Sequence, residues 1–236
     1  VWETAVDGRT LHFHLAGINN QNFIMRDEET GSWWQQVSGE AIFGPLKGRR
    51  LKPVPQDEIS FALWKREQPR GRVLRPDPRV ANRYAHADWE AGIARLPVAT
   101  RISDKRLDLR ELIVGITVNG RAKAYRMIDV QQQNPIIDTV GGVPIVIVVE
   151  GQSVRAFSRV VDGKPVDLFA RPDAASITLV DPTTGSEWDF AGRAVRGPMT
   201  GRQLERIEIL RDYWFDWRAY HPDTAIFSVG LMKRAS

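Results

Sequence analysis

Short apolar–polar alternations cut by glycine-containing turns run through most of this chain. Leu11, Phe13 and Leu15 alternate with His12, His14 and Ala16, the pattern of a half-buried strand with one apolar face. Asp7-Gly8, Asn119-Gly120 and Asp162-Gly163 are dipeptides suited to two-residue hairpin turns, and strand-like runs flank each of them. Gly141-Gly142 joins the runs 136–140 and 143–149 in the same way. The second of these is apolar almost throughout, which predicts a buried strand. Further strands are expected at 22–26, 33–37, 41–43, 49–53, 72–74 and 176–180. The period changes twice. Ile59, Phe61, Leu63 and Trp64 suit a short helix within 57–67, capped by Asp57 or Ser60 and stopped at Pro69; a second helix is expected at 213–220.

The chain repeats itself. Asp27, Thr30, Gly31, Ser32 and Trp34 return as Asp181, Thr184, Gly185, Ser186 and Trp188, a spacing of 154 residues. Gly39, Ala41, Gly44, Pro45, Gly48, Arg49, Leu51, Trp64 and Pro69 return at a spacing of 153, from Gly192 to Pro222. Such order and density mark a tandem duplication. The expected fold is mainly β with a few short helices: two related sheet-rich repeats packed with approximate two-fold pseudosymmetry. The repeats are assigned to 1–75 and 111–236, with a connecting segment at 76–110 that carries Tyr84, His86 and Trp89. The unit 114–150 precedes the second copy only, so the first repeat is expected to lack roughly 40 residues at its start. Tyr84 and Trp89, or a partner chain, are expected to cover the sheet edge this leaves open.

Composition narrows the function classes. Of 236 residues, 42% are hydrophobic and 26% charged, as in ordinary globular proteins. No apolar run approaches the roughly 20 residues of a transmembrane helix. The net charge of +4 is spread without a run of lysine and arginine, which argues against nucleic acid as a partner. The absence of cysteine excludes disulfides, thiolate metal ligands and thiol nucleophiles from these residues.

Residues 27–34 with Gly39-Glu40-Ala41 and 44–48, Gly115 through Ala124-Tyr125, Asp138 with Gly141-Gly142, and the second Thr184-Gly185-Ser186-Glu187-Trp188 resemble the bacterial family catalogued as domain of unknown function 3179. The resemblance covers almost the whole chain. It implies no activity, and it implies a location outside the cytoplasm, periplasmic or secreted. Many members carry a Cys-x-x-Cys segment just upstream of the strand with which this chain begins; no thiol role of theirs carries over to these residues.

Positions shared by both copies are most economically structural, which directs the search for function to positions where they differ. Asp27 and Asp181 are expected to fix their turns, and Trp34 and Trp188 to be core. Glu40, which is Arg193 in the second copy, is the candidate general acid or base. His12 and His14, two apart on a strand, share a face and are the candidate ligands for a divalent metal ion, against the plainer reading of a polar strand face. Trp33, Trp89 and Trp214 are candidate ligand-stacking side chains, expected with Trp2 at the surface, although large core fillers would look the same. Three functions remain open: an extracytoplasmic binding or interaction module for a small molecule or a protein partner, an enzyme with its site between the repeats, and a metal-binding or redox accessory protein.

Overall fold

The computed structural model describes residues 1–19, 22–172 and 176–228. Strand accounts for 38% of the structure and helix for 14%, in several antiparallel sheets with few short helices. The hairpin dipeptides act as their chemistry requires. Asp7, Asn119 and Asp162 take φ near +50°, and the glycine after each is also at positive φ, the geometry of turns that match strand twist.

The chain forms two compact units, Val1–Gln56 with Val98–Asp104 and Asp57–Pro97 with Lys105–Ser236. In the first, the strands Phe13–Asn19, Asn22–Asp27, Trp33–Gln35 and Ala41–Phe43 make an antiparallel meander. Its core is Trp34, Val6, Leu11, Ala41 and Leu51. Asp27, fully buried, accepts hydrogen bonds from the Thr30 N–H, the Thr30 hydroxyl and Trp34 Nε1 (2.8 Å). Ser32 accepts from the Leu46 N–H at 3.0 Å, which ties the meander to the next turn. Gly44 packs there so closely that a Cβ would lie 2.7 Å from Ser32 Cα.

The second unit holds the same meander, Phe169–Ala170, Leu179–Asp181, Ser186–Trp188 and Ala194–Arg196, in the same order. Trp188 opposes Ala194 and Glu187 opposes Arg196 across a register shift, as Trp34 opposes Ala41 and Trp33 opposes Phe43. Asp181, Thr184 and Ser186 repeat most of the buried hydrogen-bond network, Asp181 accepting from the Thr183 N–H and the Thr184 hydroxyl but not from Trp188. Both serines are wholly buried and bonded into turns, so their shared role is structural.

Two further four-stranded sheets complete the second unit. One orders Arg206–Ile207, Ser153–Ser158, Val143–Glu150 and Ile136–Val140; the other orders Ile209–Tyr213, Leu112–Val118, Arg121–Arg126 and Ala225–Ile226. Alternating side chains explain how they pack. Ile145, Ile147 and Val149 join Val114, Ile116 and Tyr125 in one core, while Val146 and Val148 face Phe157, Trp188 and Leu63 in another. A strand buried on both faces reads as a continuous apolar run, and this is why 143–149 carries almost no polar residue.

Helices occupy the outer faces. Helix α1 (Phe61–Glu67) is capped by Ser60, whose hydroxyl accepts from the Leu63 N–H at 3.2 Å. Helix α2 (Trp89–Ile93) and helix α3 (Met127–Gln132) were not foreseen in the apolar pattern, nor was the 3-10 turn Pro78–Arg83. Helix α4 (Trp214–Tyr220) packs Trp214 and Trp217 onto Ile113 and Ala124. Arg155, on the sheet face toward α1, is 3% exposed and holds Asp57 at 2.8 Å and Glu67 at 2.6 Å, one carboxylate from each flank of the helix. Arg206 also bonds Asp57.

Three expectations are corrected. Tyr84 and Trp89 are 50% and 56% exposed rather than buried as covering side chains; Tyr84 Oη accepts from the Asp77 N–H within its own segment. Trp214 is wholly buried rather than at the surface, because it is the residue that α4 inserts against the sheet. No strand forms at 72–74, since a run with strand propensity needs a neighbour to pair with.

Candidate functional site

A strand points successive side chains to opposite faces, and Arg121–Arg126 does this at a place where its neighbours leave space. Ala122 and Ala124 turn toward α4, while Tyr125 turns into the core between the sheets. Arg121 and Lys123 share the Tyr125 face. A cavity of about 510 Å³ opens there, lined by Arg121, Lys123, Thr139, Gly141, Tyr220 and His221 among others. Three elements build it: the turn Asn119-Gly120, the turn Gly141-Gly142, and the chain leaving α4. The two turns are fastened together, since Asn119 Nδ2 donates to the Gly141 carbonyl at 2.9 Å. Gly141, at φ +55°, sits where a Cβ would lie 2.1 Å from the Val118 carbonyl oxygen, so no larger residue fits.

The polar groups differ in how far they are already satisfied. Lys123 pairs with Asp138 at 2.6 Å and stands 5.7 Å from the rings of Tyr125 and Phe227. Asp138 also accepts from Tyr125 Oη at 2.7 Å. Burial, then the Asp138 carboxylate beside it, holds the Tyr125 hydroxyl far above the usual phenol range, so it acts as a donor. Arg121 is exposed and has no carboxylate partner among the described residues. His221 caps the C-terminus of α4 and stacks on Trp217 with ring centroids 3.8 Å apart. Burial pushes its pKa below the ordinary 6.5, so the ring is neutral at pH 7. Neither ring nitrogen has a partner among the described residues.

The residues singled out in the sequence lie elsewhere. His12 precedes its strand and bonds Glu29 through Nδ1 at 2.6 Å, an interaction that raises its pKa. His14 is exposed and opposite Arg26. Among the described residues, no group of three histidine, aspartate or glutamate side chains is placed to hold a metal ion. Glu40 is paired with Arg50 at 2.5 Å. Trp33 lies 37% exposed on the solvent face of the first meander, in one cross-strand row with His14, Arg26 and Phe43. Trp89 opens α2, and Trp214 lies under the Arg106 guanidinium, 5.3 Å from its ring centre. No sequence signal flagged Arg121 or Lys123 as a pair. The alternation that puts them on one face was visible, but the cavity beside them arises from turns and a helix end distant in sequence.

Of the residues that carried the family resemblance, Gly141 lines this cavity, and Tyr125 and Asp138 stand behind it, bonded to each other and, through Asp138, to Lys123. Residues 1–224 match the family described as protein of unknown function DUF3179. The chain belongs to this family. No curated protein and no solved structure matches it. Among the described residues, no helix of this DUF3179 protein is long and apolar enough to cross a membrane.

Proposed function

We propose that this DUF3179 protein is a non-catalytic binding module whose ligand is a small organic acid held in the cavity beside Arg121, Lys123 and His221. The observation that carries the reading is a guanidinium and a neutral imidazole, each without a side-chain partner among the described residues, lining one preformed cavity. A carboxylate meets both needs. It accepts two parallel N–H bonds from the Arg121 fork, and the imidazole can donate to a second oxygen or accept from a ligand hydroxyl. Lys123 adds positive potential while remaining tied to Asp138. Binding rather than turnover is the reading because the Thr224 hydroxyl of the lining is already bonded to Trp217 Nε1 and the Ala225 carbonyl rather than to His221. The extracytoplasmic location implied by the family resemblance belongs to the same reading: a module of this kind would meet small acids outside the cell membrane.

Thermal unfolding with acetate, succinate and citrate, beside succinamide as the uncharged control, tests the reading. A ligand held by the native state raises apparent stability by about 2.7 kcal/mol at a hundredfold excess over its Kd. At least one carboxylate should raise Tm, Arg121→Ala and His221→Ala should abolish the rise, and added salt should weaken it. A Tm unmoved by every acid, or moved equally by succinamide, would overturn the assignment.

A further inference from the structure

Helices α1 and α4 occupy the same positions of the repeat, 153 residues apart at both ends, so Phe61 corresponds to Trp214 and Trp64 to Trp217. The two helices have opposite fates. In the second copy both rings are shut away, Trp214 wholly and Trp217 to 3% exposure, against the hairpin 112–126. Gly115 makes the fit possible, since a Cβ there would lie 2.3 Å from the Trp217 ring. The chain leaving α4 then seals the arrangement. Ala225–Ile226 pairs in parallel with the second strand of the hairpin, and the Phe227 N–H donates to the Ala124 carbonyl at 2.8 Å. Ile226 and Phe227 both pack inward.

In the first copy these same positions stand open. Phe61 and Val73 are each 63% exposed and Leu74 is 94% exposed. Trp64, half-buried, stacks on Phe61 at 5.6 Å, ring planes 19° apart, and the turn at Gly71 packs against its ring. Residues 72–74, the counterpart of the sealing strand, join no sheet among the described residues. An exposed aromatic stack on a helix, followed after one turn by a strand-like apolar segment that pairs with nothing among the described residues, is the form of a β-addition site.

We infer that the face of α1 bearing Phe61 and Trp64, together with 72–74, is a docking site for a β-hairpin built like 112–126 and contributed by another polypeptide segment. The occupied copy specifies its chemistry. The first strand carries a glycine against Trp64, a β-branched residue two positions before it packs on Phe61, and the second strand accepts 72–74 in parallel. A second copy of this chain does not supply that hairpin, because in each copy α4 already holds it.

The probe is a backbone-cyclised hairpin peptide carrying residues 112–126, added to the full chain, with the same peptide bearing Gly115→Leu as control. Hydrogen exchange across 59–75 is the readout. Exchange at 72–74 should slow by about tenfold or more as the peptide saturates, with a blue shift of tryptophan emission. The Gly115→Leu peptide should do neither, and the Leu74→Asp chain, altered at an exposed position, should fold normally and fail to respond. Unchanged exchange with the cyclised peptide would overturn the inference. So would a chain that is already dimeric and protected at 61–74 without peptide, which would make a second copy the occupant.

Discussion

The tryptophan shared by the two meanders shows how differently one residue type can be held. Trp34 and Trp188 are both wholly buried, so replacing either with alanine should cost on the order of 3–5 kcal/mol. Their indole N–H groups separate them. Trp34 Nε1 donates to Asp27, whereas Trp188 Nε1 is buried with no partner among the described residues. Trp34→Phe removes one of the hydrogen bonds to the buried Asp27 carboxylate and should cost about 1–3 kcal/mol more than Trp188→Phe, which removes none. Denaturant melts of the two phenylalanine variants decide this, and equal costs would contradict the network. Asp212 and Asp216 make a second contrast, since their first-copy counterparts are the core residues Ile59 and Leu63. Burial, then the neighbouring Asp216 carboxylate, pushes Asp212 up to about 8. A folded-state pKa above the unfolded value means that the folded chain keeps a proton the unfolded chain releases. The contribution is therefore full below about pH 4 and lost as pH rises toward 8, at about 1.4 kcal/mol per pH unit across that window. Asp212→Asn should flatten this slope in melts from pH 4 to 8; a slope unchanged by the substitution would place the proton elsewhere.

At the scale of elements, the sequence was most readable where local chemistry decides the outcome. The positive-φ turns at Asp7-Gly8, Asn119-Gly120 and Asp162-Gly163, the Ser60 cap and the doubly buried run 143–149 all follow from residues within a few positions of one another. Helix α3 was hidden because its six residues, Met127 to Gln132, bury only Met127 and Val130, too short a stripe to show a period. The cavity was hidden for the opposite reason: its lining comes from segments a hundred residues apart. Gly115 belongs between these cases. It looked like an ordinary strand glycine, yet its missing Cβ is what admits Trp217. Gly115→Ala should overpack that contact and cost about 1–3 kcal/mol or more, lowering the denaturant midpoint without changing the slope. A neutral result would mean that α4 can lift off the sheet at little cost.

At the scale of the whole molecule, each apolar cluster draws its buried residues from one unit, and the clusters differ in size. Among the described residues, the first unit centres on five buried side chains including Trp34, while the second has three clusters, two of them with more than ten buried residues each. A small core offsets chain entropy less well than a large one. Local opening free energies should follow. Amides of the strand Asn22–Asp27 and of Trp33–Gln35 should therefore exchange with solvent well before those at 145–148, although both sets sit in regular antiparallel ladders. Native-state hydrogen exchange in low denaturant measures this directly. Trp34→Ala should accelerate the first set and leave the second unchanged, and Trp188→Ala should do the reverse. Equal protection of the two sets, or both responding to either substitution, would show that the duplicated meanders open as one cooperative body and that core size does not set their stability.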